Sequence, residues 1–250
     1  VQLIAANIDT VFVITSCNQD FNVARLERYV ALAFEAGIEP VIVLTKADLT
    51  DNPAPFCEAA QAVSSRVPVV HLDARGGEPV QALADWCRPG RTVAFLGSSG
   101  VGKSTLANAL LGAQAIATQG IRADDAKGRH TTTRRELHVT PDGCLVLDTP
   151  GMRELQLTDA ATGIADVFDD IEALSAQCRF KDCQHETEPG CAVQAAVGDG
   201  RIDPSRLLRW RKLQAEDAFN SASLAERREK DRAIGKLVRS AVNAKSDRVR

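Results

Sequence analysis

Gly97-Ser98-Ser99-Gly100-Val101-Gly102-Lys103-Ser104 fits the pattern G-x-x-x-x-G-K-[ST] without a mismatch. The apolar run Val93-Ala94-Phe95-Leu96 precedes it, and a helix-forming segment from Thr105 to Leu111 follows. Strand, loop and helix in that order are the context a phosphate-binding loop requires. Its glycines let successive backbone N–H groups turn inward on the β- and γ-phosphates. Lys103 adds a point charge, Ser104 offers a hydroxyl to Mg²⁺, and the helix that starts near Lys103 directs its positive end at the same anion. A glycine-rich turn that merely ends in Lys-Ser would need neither flanking element. Nucleotide contacts are therefore expected along Gly97, Ser98, Ser99, Gly100, Val101, Gly102, Lys103, Ser104 and Thr105.

Upstream, short apolar runs alternate with helical spacing. Val11 to Thr15 reads as a strand, and Val23, Leu26, Val30 and Phe34 recur every three or four residues in a helix closed by Gly37. Pro40 to Leu44 is a second strand, Phe56 to Val63 a short helix, Val67 to Leu72 a third strand and Pro79 to Cys87 another helix. Strands of about five residues alternating with helices predict a parallel sheet covered on both faces. In such sheets ligands collect at the carboxyl ends of the strands. The second strand runs into Thr45-Lys46-Ala47-Asp48, and the third ends at Asp73-Ala74-Arg75.

Thr45-Lys46-Ala47-Asp48 resembles the guanine-specificity motif of GTPases, usually Asn-Lys-x-Asp. There the carboxylate takes two hydrogen bonds from the guanine edge while the lysine stem packs on the ring. Alone, the tetrad reads more readily as a solvated turn at a strand end than as a base site; its weight comes from the company it keeps. Asp73 and Ala74 stand where a Ser-Ala-Lys-like loop would offer the Ala74 N–H to the base carbonyl. Thr45 in place of Asn predicts weaker base binding with specificity retained.

Downstream, Gly112 to Thr133 shows no period, and a long irregular stretch in a compact domain is usually functional. It contains Gly128-Arg129-His130-Thr131-Thr132-Thr133. Glu136 to Val139 and Cys144 to Leu147 then form two strands joined by a Pro141-Asp142-Gly143 hairpin turn, ending in Asp148-Thr149-Pro150-Gly151. Asp148 would hold Mg²⁺ through a water, with one of Thr132 or Thr133 closing on the same ion, and the Gly151 N–H could sense the γ-phosphate. Met152 occupies the place where many GTPases carry the glutamine that orients water, so slow intrinsic turnover is expected. His130, with Lys103, is the catalytic candidate. Here the base motif precedes the phosphate loop, the reverse of the usual order. A sheet with all its loops on one edge tolerates such a circular permutation.

Cys178, Cys183, His185 and Cys191 fall within fourteen residues, with Pro189-Gly190 turning the chain before the last thiol. Three thiols and an imidazole at this spacing match a closed, structural zinc site; the plainer reading is a loop of free cysteines. Cys17, Cys57, Cys87 and Cys144 lie singly on apolar segments and read as core thiols. A helix around Ala165 to Ala176 and another from Pro204 to Leu213 complete this part. From Leu224 to Arg250 there are nine Lys/Arg against four Asp/Glu, on a chain of net charge −3. That tail is either a solvated packing helix or a contact surface for nucleic-acid phosphates.

The chain's 250 residues are 44% hydrophobic and 25% charged, the balance of a folded globular protein. No run approaches the roughly 18 apolar residues that span a bilayer, so no membrane partner and a cytoplasmic location are expected. Val1 opens the chain and its one methionine is Met152, so an upstream segment is expected.

With the base motif first, then Gly-Ser-Ser-Gly-Val-Gly-Lys-Ser-Thr, Gly-Arg-His-Thr-Thr-Thr, Asp-Thr-Pro-Gly-Met-Arg and Cys-x₄-Cys-x-His-x₅-Cys, the chain resembles the RsgA (YjeQ) family of ribosome small subunit-dependent GTPases. The resemblance runs from Ala5 to about Gln214. It implies an α/β fold: a circularly permuted GTPase domain with a parallel-type sheet (1–160), then a small, mainly helical zinc-binding domain with a basic tail helix (161–250). An N-terminal OB-fold, absent here, is also expected. The same resemblance implies hydrolysis of GTP to GDP with Mg²⁺, one structural Zn²⁺, and a monomer whose partner is the maturing small ribosomal subunit and its rRNA. The other class open to this sequence is a zinc-dependent RNA-binding module with a nucleotide-sensing, weakly hydrolytic loop domain.

Overall fold

A computed structural model describes residues 6–112, 116, 136–148 and 157–222. Six strands form one sheet in the order β3-β2-β1-β4-β6-β5. They are β1 (Thr10–Ser16), β2 (Glu39–Thr45), β3 (Val69–His71), β4 (Thr92–Leu96), β5 (Glu136–Val139) and β6 (Leu145–Asp148). All pairs are parallel except β5 with β6, which run antiparallel through the hairpin at 140–144. The predicted parallel sheet thus carries one antiparallel edge strand, since a three-residue turn cannot supply the crossover that parallel pairing needs.

Because side chains alternate across a strand, the central run Val11-Phe12-Val13-Ile14 feeds two cores. Val11 and Val13 join Ile42, Leu44 and Leu96 on one face. Phe12 and Ile14 join Val41, Val43, Val93 and Phe95 on the other. The second face is closed by α3 (Glu78–Ala82) and α4 (Lys103–Leu111), whose Leu106 and Leu110 are buried there.

The first face carries α1 (Val23–Glu35), capped by Asn22, whose side chain accepts from the Arg25 N–H. It buries Leu26, Tyr29 and Val30, each worth about 1.5–3 kcal/mol. α2 (Ala54–Gln61) flanks it, and onto it fold α5 (Ala161–Val167), α6 (Asp169–Ser175), α7 (Ala192–Gly198) and α8 (Pro204–Ser221). Ile164, Phe168, Ile171, Val193, Trp210 and Leu213 share one core cluster with α1. Helix α5 meets α1 backbone to backbone: a Cβ on Gly163 would lie 2.0 Å from the Ala31 carbonyl oxygen. Between α1 and α8 the fully buried Glu27 accepts from Arg209 Nε at 2.8 and 2.9 Å, with Arg206 at 3.6 Å.

Several boundaries differ from the sequence reading. The third strand is trimmed to Val69–His71, and the helix from Pro79 gives way after Ala82 to turns that reach Cys87. The helix expected over Ala165–Ala176 starts at Ala161 and breaks at Phe168 (φ −111°, ψ 39°), which sinks its ring into the core under the Arg206 guanidinium. α7 was not foreseen, and α8 runs eight residues past Leu213. Cys17 and Cys144 are buried, Cys57 and Cys87 half-buried, and all four are free thiols, as core residues should be. Burial pushes the Cys17 thiol up to about 11 and that of Cys87 up to about 12, which keeps both protonated. Among the described residues no helix is long and apolar enough to cross a membrane.

Candidate nucleotide site and cysteine cluster

Strand order reverses between β1 and β4, and the loop after β4 sits at that switch point, where an open α/β sheet binds its ligand. Gly97 turns there with φ +150°, and a Cβ on it would come 2.3 Å from the Ile14 carbonyl oxygen, so only glycine lets β4 lie this close to β1. Gly102 (φ +97°) makes the last bend before α4. Lys103 opens the helix and folds back over the loop, its Nζ donating to the Gly97 and Ser98 carbonyls at 2.8 and 2.5 Å. Ser104 and Thr105 follow in the first turn, both half-buried. The ammonium is thereby held inside the curve of backbone that the motif is expected to wrap around phosphate.

Two other strand ends converge on this loop. Thr45 closes β2 fully buried, and its hydroxyl donates to the Val101 carbonyl at 2.6 Å and lies 3.2 Å from the Thr15 carbonyl. Its short side chain thus ties the Thr45-Lys46-Ala47-Asp48 tetrad to the phosphate loop. Lys46 takes the left-handed conformation (φ +58°), a strained choice for a lysine and a frequent mark of functional turns. It swings the chain into the turn Ala47–Leu49, leaving Asp48 exposed. After β3, Asp73 Oδ1 accepts from the Arg75 N–H at 2.8 Å. Asp73 thus shapes its own loop, and Ala74, Arg75 and Gly76 face Thr105, Asn108 and Ala109 across an open cleft of about 430 Å³. Asp148 ends β6, one residue past the Leu147 and Ala94 pair. Its side chain, and all of His130, Thr132, Thr133, Gly151, Met152 and the basic tail from Leu224, lie outside the described residues.

The structure also brings in two residues that the motif reading missed. Asp20 and Arg25, from the loop after β1 and the first turn of α1, both bond the Ser98 hydroxyl. Nothing in the local sequence marks them, because the contact spans 73 to 78 positions.

In the second half, Cys178, Cys183, His185 and Cys191 come together with all four ligand atoms within 4.8 Å of one another. Tetrahedral zinc with ordinary bond lengths would space sulfur from sulfur by about 3.8 Å and sulfur from nitrogen by about 3.6 Å. Cys178 and Cys191 Sγ are 3.9 Å apart, and each is 3.5 Å from His185 Nδ1. The residues therefore fit a metal ion. His185 adopts φ +60° to aim its ring inward, and its Nε2 meets Ser175 Oγ at 3.2 Å, the outer contact that fixes a ligating imidazole. Gln194 and Arg211 both donate to the His185 carbonyl. Burial, then the Arg211 charge, holds His185 below its ordinary value, which keeps the ring neutral as a ligand must be. Burial pushes Cys183 up to about 11, whereas for Cys178 the amides of Ala192 and Val193 outweigh burial and lower it.

Taken together, the switch-point loop, the base tetrad tied to it by Thr45 and the order of the motifs define a phosphate-loop GTPase domain of circularly permuted type. The model of the RsgA GTPase family matches residues 1–158. Over 247 residues the chain is 52% identical to small ribosomal subunit biogenesis GTPase RsgA 2 of Vibrio parahaemolyticus, covering 99% of this chain and 69% of that protein. The chain belongs to the RsgA GTPase family. It is also 54% identical over 223 residues to the RsgA of Mesorhizobium japonicum, covering 88% of this chain and 64% of that one. Among solved structures, YjeQ from Thermotoga maritima superposes with a TM-score of 0.63 at 28% identity, over 83% of this chain and 70% of that one. YloQ, described as a circularly permuted GTPase, shares the fold with a TM-score of 0.61 at 24% identity, over 87% and 70%.

Proposed function

We propose that this chain hydrolyses GTP to GDP and phosphate in the maturation of the small ribosomal subunit, and that docking on that subunit stimulates its turnover. The observation that carries the nucleotide half is the Thr45 hydroxyl on the Val101 carbonyl at 2.6 Å, which ties the base tetrad to the phosphate loop. Asp48 then reads the guanine edge while the Lys46 stem lies along the ring, and the Ala74 N–H meets the base carbonyl. The amides from Gly97 to Ser104 take the β- and γ-phosphates, with Lys103 neutralising charge between them. Ser104 and Asp148, joined by Thr132 or Thr133, are hard oxygen donors suited to Mg²⁺. When bound, that ion supplies charge neutralisation across the phosphates. Gly151 senses the γ-phosphate, and His130 orients the attacking water in the place that Met152 cannot fill. Names borne by the relatives supply the ribosomal half.

The cysteine cluster holds one zinc ion with no open position, a structural role, and the segment from residue 161 acts with the basic tail as the rRNA-facing module of a cytoplasmic monomer. A GTPase assay with and without purified small subunits tests the whole. Slow release of phosphate alone, raised at least tenfold by subunits and lost in His130→Ala, is expected. Equal rates with and without subunits contradict the reading.

A further inference from the structure

The loop between β1 and α1 belongs to none of the motifs that define the nucleotide site, yet it grips the phosphate loop by a side chain. The Ser98 hydroxyl donates to Asp20 Oδ2 at 2.6 Å and accepts from Arg25 Nη1 at 2.7 Å. Arg25 closes the ring on the same carboxylate at 3.1 and 3.2 Å. Each partner is itself held. The Asp20 N–H donates to Asn18 Oδ1, which also accepts the Ser16 hydroxyl at the end of β1, and the Arg25 N–H donates to the helix cap Asn22.

Ser98 is the residue through which such a grip matters. It follows the one glycine that lets β4 approach β1, and its carbonyl is one of the two that receive Lys103 Nζ. A shift of Ser98 therefore moves both the ammonium anchor and the first of the amides that turn toward phosphate. The side chains of Arg25 and Asp20 are 35% and 40% exposed, and as an isolated surface ion pair they would contribute little. With a hydroxyl bridging them, the short contact to the carboxylate is charge-assisted and fixes a rotamer. The loop is thus bound to β1 by a second attachment, independent of Thr45.

We propose that Asp20 and Arg25 are positioning residues for nucleotide binding: through Ser98 they hold the phosphate loop in its phosphate-accepting shape. They are not catalytic residues, because they act on the loop and not on the reacting atoms. The inference rests on Gly97–Ser104 being the phosphate-binding loop.

The test is an equilibrium titration of the chain with a fluorescent GDP, with ADP as competitor. Asp20→Ala and Ser98→Ala are each expected to weaken GDP binding about 5- to 10-fold, mostly through faster dissociation. Because Asp20 acts through Ser98, the double variant should be no weaker than the weaker single. Asp20→Asn, which keeps an acceptor oxygen for the hydroxyl, should fall between Asp20→Ala and the parent. The preference for guanine over adenine should stay at its parental ratio, since the base tetrad has its own tie; general damage to the sheet would move that ratio too. Should Asp20→Ala fold poorly, Ser98→Ala removes a single half-buried oxygen and carries the test. Single variants within twofold of the parent, penalties that multiply in the double, or a changed base preference each overturn the proposal. A parent chain that takes up no GDP overturns the phosphate-loop reading along with it.

Discussion

The phosphate loop and the cysteine loop each curl a short stretch of backbone around a small charged ligand, but they are shaped by opposite means. Gly97 to Ser104 is shaped from outside: β4 and α4 fix its ends, the Ile14 carbonyl excludes any side chain at Gly97, and Thr45 and Ser98 bind it to neighbouring strand ends. Cys178 to Cys191 has no regular element between α6 and α7; the Glu188 carboxylate takes the amides of Gln184, Glu186 and Thr187, and three thiols and an imidazole are left for a ligand to join. A site held by the sheet keeps its form without its ligand. A site held by its ligand does not.

The largest effect should come from taking the metal away. A strong chelator is expected to release one zinc ion per chain and abolish amide-exchange protection across 178–200. The thermal midpoint should fall by about 10 °C or more, while GDP still binds. Exchange mass spectrometry checks this, and unchanged protection would erase the contrast between the two loops. Next comes the seam that joins them. Glu27 is wholly buried between α1 and α8, so Glu27→Ala strands Arg209, while Arg206 keeps the Asp170 carboxylate, and should cost about 3 kcal/mol in urea unfolding.

A smaller loss, about 1–2 kcal/mol, is expected for Thr45→Val, which leaves the buried Val101 carbonyl short of its donor. It should also weaken GDP and ADP alike, whereas a direct base contact would cost GDP alone. The smallest effect concerns α8, where the Ser205 N–H, and then its hydroxyl, hold the capping Asp203 below its ordinary 3.8. A carboxyl depressed on folding stabilises above its unfolded value and loses that contribution as pH falls through the folded one. Asp203→Ala should thus cost about 1 kcal/mol at pH 7, and the gap to the parent should close as pH drops below 3.8.

Much of this was legible before any coordinates. The apolar run at Val11 to Thr15, the period from Val23 to Phe34 and the phosphate-loop spacing are local signals, and the elements they predict are present. The four zinc-type ligands lie close in sequence, so their meeting needed only a turn at Pro189-Gly190. What escaped was decided across the fold. Phe168 breaks its helix because a pocket beneath α8 takes its ring, a fact carried by Arg206 and not by its neighbours. The Thr45 bond to the Val101 carbonyl has no local signal, because its partner is 56 positions away. Asp20 and Arg25 carry no motif at all and acquire their meaning only beside Ser98.

Direct competition between guanine and adenine nucleotides for the parent and for Asp48→Asn tests whether the strand-end loops form one guanine site. The parent should favour GDP over ADP by at least a hundredfold, and the variant should lose most of that preference, since one carboxylate reads both donors of the guanine edge. Equal binding of the two purines by the parent, or undiminished selectivity in Asp48→Asn, would contradict it.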